Sequence, residues 1–225
     1  MRFLTLVLSL LTAPALAHEF WLEPLNYQVE ADGTLEAHIV NGEEFSGAKF
    51  AFLPQRFVYF AIFSGEDRQR VEGRPGDMPA LTMPPLAEGL NIAGYQAINQ
   101  TLTYDNWEKF QRFVDHKDFG DVRTVHEDRG IPLERFGEVY SRHAKTLFGV
   151  GDAEGADRRI GLEVEIVTLA NPYTDDLSNG MPVQVYYRND LRSNVQVEVF
   201  EKAPNGTVSI TLHRTDQDGI AVFPV

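Results

Sequence analysis

The chain carries six histidines and no cysteine. Any metal it holds is therefore bound by nitrogen and oxygen, and disulfides, thiolate zinc sites, iron–sulfur clusters and cysteine nucleophiles are excluded. One histidine has a special position. Arg2 and the apolar run Phe3 to Leu11 precede Ala15-Leu16-Ala17, the small-x-small pattern of a secretory signal, and cleavage after Ala17 makes His18 the first residue. An N-terminal histidine offers an α-amine and a ring nitrogen that close on one metal as a chelate, and both lose their protons readily near neutral pH. A further imidazole would complete a T-shaped nitrogen site suited to copper, or the base of a nickel site.

The candidate metal ligands are His18, His38, His116 and His126. His38 lies in an alternating run expected to form a strand beside the N-terminal segment, where a solvent-facing or hydrogen-bonded histidine is the blander alternative. His116 and His126 sit among Asp115, Asp118, Asp121, Glu127 and Asp128, a cluster fit for a cation but equally for solvated surface. Glu19, Glu23, Glu43 and Glu44 are close in sequence to the site and can serve as an oxygen ligand or orient a histidine. His143 is expected in the apolar core and His213 on a distant strand. No nucleophile elbow, phosphate loop, dinucleotide fingerprint or metalloprotease helix is present, so no catalytic residues are assigned. Asp216-Gln217-Asp218-Gly219 starts like a calcium loop, but Ile220, Ala221 and Val222 follow, and a hairpin turn accounts for it.

These residues need a scaffold, and the composition supplies one. Fifteen Phe, eight Tyr and two Trp in 225 residues exclude intrinsic disorder. A formal charge of -13 and a pI near 4.8 exclude the cationic surface that nucleic acid requires. No segment beyond the signal reaches the roughly 20 apolar residues of a membrane span. From Tyr27 to Leu102 the pattern is of strands, including 57–63 and 90–95, with a loop over Glu72 to Pro85. At Thr103 the period lengthens. Asp105 or Asn106 is expected to cap a helix with Trp107, Phe110 and Val114 inward, and Pro132 to open a second with Leu133, Phe136, Val139, Tyr140 and Leu147 inward. Between them, Asp115 to Gly130 is expected to be a solvated loop or frayed helix end. Asp152 to Arg159 has the polarity of a linker, and five short strands follow over 162–169, 181–187, 195–200, 208–213 and 220–225. The expected fold is mainly β: a signal peptide over 1–17, an N-terminal β-sandwich over 18–102, a helical segment over 103–151 packed on it, and an immunoglobulin-like β domain over 160–225. That last domain stops in mid-strand, which points to a truncated chain.

Four motifs in order carry a family resemblance. They are His18-Glu19-Phe20-Trp21-Leu22-Glu23-Pro24, Asn41-Gly42-Glu43-Glu44-Phe45-Ser46-Gly47, Tyr140 to Leu147, and Leu169-Ala170-Asn171-Pro172-Tyr173 with Gly180-Met181-Pro182-Val183. Together they resemble the periplasmic DUF4198 family, some of whose members are labelled NikM-like nickel-uptake proteins. The resemblance implies a periplasmic accessory protein binding a transition-metal ion, nickel, cobalt or copper, for an envelope metal transporter or receptor. It also implies a chain that continues past Val225, and it carries no catalytic residues. Two other expectations stand beside this one. One is a copper oxidoreductase built on a brace of two histidines, and the other is a metal-free structural or interaction module of the envelope.

Overall fold

The computed structural model describes residues 18–225, so the expected signal peptide over 1–17 lies outside the described residues. The fold is mainly β. The first half contains β1 (Glu19–Pro24), β2 (Gln28–Val29), β3 (Leu35–Glu43), β4 (Ser46–Phe50), β5 (Phe57–Ser64), β6 (Asp67–Arg70), β7 (Leu81–Met83) and β8 (Gly89–Ala97). The middle contains β9 (Gln100–Asn106), α1 (Trp107–His116), α2 (Val122–Asp128), β10 (Glu134–Tyr140) and β11 (His143–Val150). The last third contains β12 (Val164–Thr168), β13 (Met181–Tyr187), β14 (Asp190–Leu191), β15 (Gln196–Lys202), β16 (Val208–Arg214) and β17 (Ile220–Phe223).

One sheet of the N-terminal sandwich runs β1-β3-β4 with β7 on β3, and the other runs β2-β11-β8-β5-β6. The alternation Leu35, Ala37, Ile39 turns one face of β3 inward onto Phe60, Ile62 and Phe148 of the facing sheet. β8 is buried on both faces because Ile160 and Leu162, from just before β12, cover Ile92 on its outer side. The stretch expected to be a linker is therefore docked on the sandwich: Arg158 donates to the Gly65 carbonyl at 2.8–3.0 Å, and the Asp157 side chain is 1% exposed. The expected loop over 72–85 contains β7, which extends the first sheet.

The middle segment divides the expectations. Asn106 does cap α1, its side chain accepting from the Lys109 N–H at 3.0 Å, with Trp107 and Val114 buried. The expected second helix over 132–147 is overturned. These residues form β10, paired with β9, and β11, paired with β8. Phe136, Val139, Tyr140, His143 and Leu147 fit a helical period by accident, while Ala144, Thr146, Phe148 and Val150 are buried at a period of two. Pairing with β8 satisfies a whole ladder of backbone groups that a helix would leave open on that strand. The second helix, α2, lies instead in the expected loop, capped by the Asp121 side chain on the Thr124 N–H at 3.1 Å.

All five strands expected after the linker are present as β12, β13, β15, β16 and β17. β12, β13, β14 and β17 make one sheet, and β15 pairs with β16. The Asp216 carboxylate accepts the backbone N–H groups of Asp218 and Ile220 at 2.8 and 2.9 Å, so this acidic stretch is indeed a turn between strands.

Candidate metal centre

His18 enters β1 at the mouth of the first sheet. The antiparallel register sets Glu19 opposite Gly42, so the histidine arrives beside Glu43, and its Nε2 lies 3.9 Å from the Glu43 Oε1. Both side chains are open to solvent, 58% and 39% exposed. The register itself depends on glycine. Gly42 faces Gly47 across the β3–β4 hairpin, and a methyl on either would run into the backbone opposite. Glu44 and Phe45 form the two-residue turn of that hairpin, both with positive φ, 51° and 59°. This is the primed turn that matches strand twist, occupied here by residues for which it is strained. Phe45 is held by its neighbours, its ring edge-on to Trp21 at 6.1 Å and to Phe200 of β15 at 6.4 Å. The acid beside His18 is thus fixed by a turn braced from two sides.

Arg142, just before β11, fixes the backbone of the histidine by donating from its guanidinium to the His18 carbonyl at 2.9 Å. The guanidinium also lies over the rings of Phe20 and Tyr140, at 5.9 and 5.3 Å, and those contacts hold its long side chain in one place. His18 opens on two spaces. One is an open trough of about 750 Å³ along Glu43, Glu44 and the β15–β16 turn at Gly206, and the other is a cleft of about 480 Å³ against α1 and the β9–β10 strand pair.

The other candidate ligands are placed apart. His38 is on β3 beside β1, as the sequence led one to expect, but opposite Glu23, while His18 precedes the residue opposite Gly42. Five residues at about 3.3 Å each separate the two ladder positions by roughly 16 Å. Burial, and secondarily Lys49, push the His38 imidazole below its ordinary pKa, and its buried Nδ1 has no hydrogen-bond partner among the described residues. His116 is exposed at the end of α1, where its carbonyl accepts from Gln196 Nε2 at 3.1 Å. His126 is 8% exposed, its ring edge-on to Trp107 and Phe136, and its Nε2 is 2.9 Å from the Pro132 carbonyl. That geometry makes Nε2 the donor. His143 is half-buried at the start of β11 and His213 bonds Thr211 at 3.0 Å. Among the described residues, no three His, Asp or Glu side chains converge as a metal cage. His18 with Glu43 is the pair that the strand register brings together.

Arg142 is the residue that sequence reasoning missed. Its signal was available, since it stands in the Tyr140–Leu147 motif, yet nothing in the sequence shows that this motif returns to His18.

No curated protein and no solved structure matches the chain. No helix among the described residues is long and apolar enough to cross a membrane. A family model does match, over residues 15–225, from three residues before His18 to Val225, and it spans every element that builds the histidine's surroundings. The chain therefore belongs to the family described as a domain of unknown function, DUF4198.

Proposed function

We propose that the mature protein begins at His18 in the periplasm and holds one divalent transition-metal ion, nickel, cobalt or copper, for hand-over to an envelope transporter or receptor. The α-amine and Nδ1 of His18 close a six-membered ring on the metal, a ring that Nε2 is too distant to form. The observation that carries this reading is the side of the imidazole facing Glu43. With Nε2 3.9 Å from its carboxylate, Nδ1 is left for the chelate, and Glu43 stands where a small approach would let it accept from Nε2 and orient the ring, as carboxylates do behind metal-bound histidines. Arg142, bonded to the His18 carbonyl, keeps the chelating residue at the trough. The coordination positions left open to the trough suit exchange with a partner better than permanent storage. This arrangement supports metal carriage over the two-histidine copper brace, because the nearest strand-borne imidazole, His38, lies five ladder positions away.

The test is calorimetric titration of Cu(II), Ni(II), Co(II) and Zn(II) into the protein with a free His18 terminus and into a version with one extra N-terminal residue. The expected result is 1:1 binding to the first alone, weakening as pH falls and protons compete for the two nitrogens. Equal binding by both versions, or by neither, removes the chelate and leaves an envelope interaction module.

A further inference from the structure

The cleft of about 480 Å³ on the other side of His18 is lined mainly by aromatic and cationic side chains. Its wall is a helical stripe. Lys109, Phe113 and Lys117 recur every four residues along α1 and its end, which puts two lysines and one aromatic ring on the same face. The opposite wall is the β9–β10 strand pair with Leu102 and Tyr140, and Phe119 adds to the lining while remaining 54% exposed. Exposed apolar side chains converging with cations on one concavity are the composition of a small-molecule site, and the volume lies within the roughly 300–1,000 Å³ such sites occupy.

The charges set the sign of the occupant. In a chain of formal charge -13, the cleft presents Lys109, Lys117 and Arg142 against one carboxylate, Glu138. Lys117 is committed to Glu198 of β15 at 2.7 Å. Lys109 and Arg142 make no ion pair among the described residues. Glu138 is engaged with Tyr104, whose hydroxyl is kept protonated first by burial and then by its hydrogen bond to that carboxylate. Two cations without an ion pair thus face the concavity against the single charge of Glu138, which leaves one positive charge unbalanced.

We propose that this cleft binds a small organic carboxylate with an aromatic body, its ring against Phe113 and Phe119 and its carboxylate between Lys109 and Arg142. The site shares Arg142 with the metal reading, but no ligand atom of the metal is needed for it.

The experiment is a titration of the mature protein, in the presence of a chelator, with naphthalene-2-carboxylate and with its uncharged amide, followed by tryptophan fluorescence and by calorimetry. The expected result is saturable 1:1 binding of the carboxylate, at least about tenfold tighter than the amide and weakened by added salt. Lys109→Gln and Phe119→Ala, both at exposed positions, are each expected to weaken it roughly fivefold with the melting temperature unchanged. No saturation by about 1 mM, equal affinity for the amide, or indifference to both substitutions overturns the proposal. Because the chelator excludes metal, a failure here leaves the His18 titration untouched, and the reverse holds.

Discussion

Arg142 and Lys145 lie three residues apart at the start of β11, and their surroundings could hardly differ more. Lys145 is sealed. Its Nζ bonds Asp157 at 2.7 Å and Glu165 at 3.2 Å, and it also donates to the carbonyls of Arg158 and Ile166. The three side chains are 9%, 1% and 0% exposed. The carboxylates have further duties, since Asp157 accepts the N–H groups of Arg158 and Thr168, and Glu165 those of Ile160, Gly161 and Leu162. Every partner is internal, and the network ties β11 to the segment that leads into β12. Arg142, by contrast, orders an exposed histidine and an open cleft, with donors to spare. A polar cluster whose capacity is spent within the fold is structural, while one whose donors are left over is free to meet solvent or a ligand.

Substitutions at the two clusters should separate stability from binding. Lys145→Ala strands two buried carboxylates and should cost about 3–5 kcal/mol, read by thermal or denaturant unfolding. Replacing Lys145, Asp157 and Glu165 together by apolar residues should not restore stability, because five backbone N–H groups would lose their acceptors. A variant unfolding with the wild type would remove the contrast. Next in size, Glu43→Gln should lower metal affinity roughly 10- to 100-fold while leaving stability nearly unchanged, as calorimetry and melting on one sample would reveal. An unaltered affinity would deny Glu43 its orienting part. Phe45→Ala removes the ring between Trp21 and Phe200 and should cost about 1 kcal/mol, with faster proteolysis of the β15–β16 hairpin.

The smallest effect concerns pH. Burial holds the His143 imidazole below its ordinary value of 6.5, against a weaker opposing pull from Glu163. The folded protein therefore takes up this proton less readily than the unfolded chain. Its contribution is present above pH 6.5 and is lost as pH falls from there toward the lower folded value. His143→Gln should flatten that part of the melting profile, and a profile identical to the wild type would show that the ring is not desolvated.

Much of the scaffold was legible because it is local or periodic. β3, β5, β8 and the strands of the last third announce themselves by alternation and turn residues, and Asn106 by its place before an apolar stripe. The site was half legible: composition and the Ala17–His18 junction single out His18, and Glu43 was one of four nearby acids. The choice among those acids was not in the sequence, because a strand's partner is set by register, and only the β1–β3 ladder puts Glu43 rather than Glu23 beside His18. Arg142 and Lys145 were invisible for the same reason, being defined by partners 124 residues and 20 residues away.

The sequence by itself determined a mainly β chain, free of thiols and strongly acidic. Only the tertiary structure decided that residues 132–147 are strands rather than a helix, that the polar stretch before β12 is docked rather than free, and that two cations three residues apart have opposite fates. The reason is physical. Propensity and period act over one turn or one strand, whereas ladders, burial and ion pairs join residues far apart in the chain, and in a β fold those distant contacts carry most of the energy.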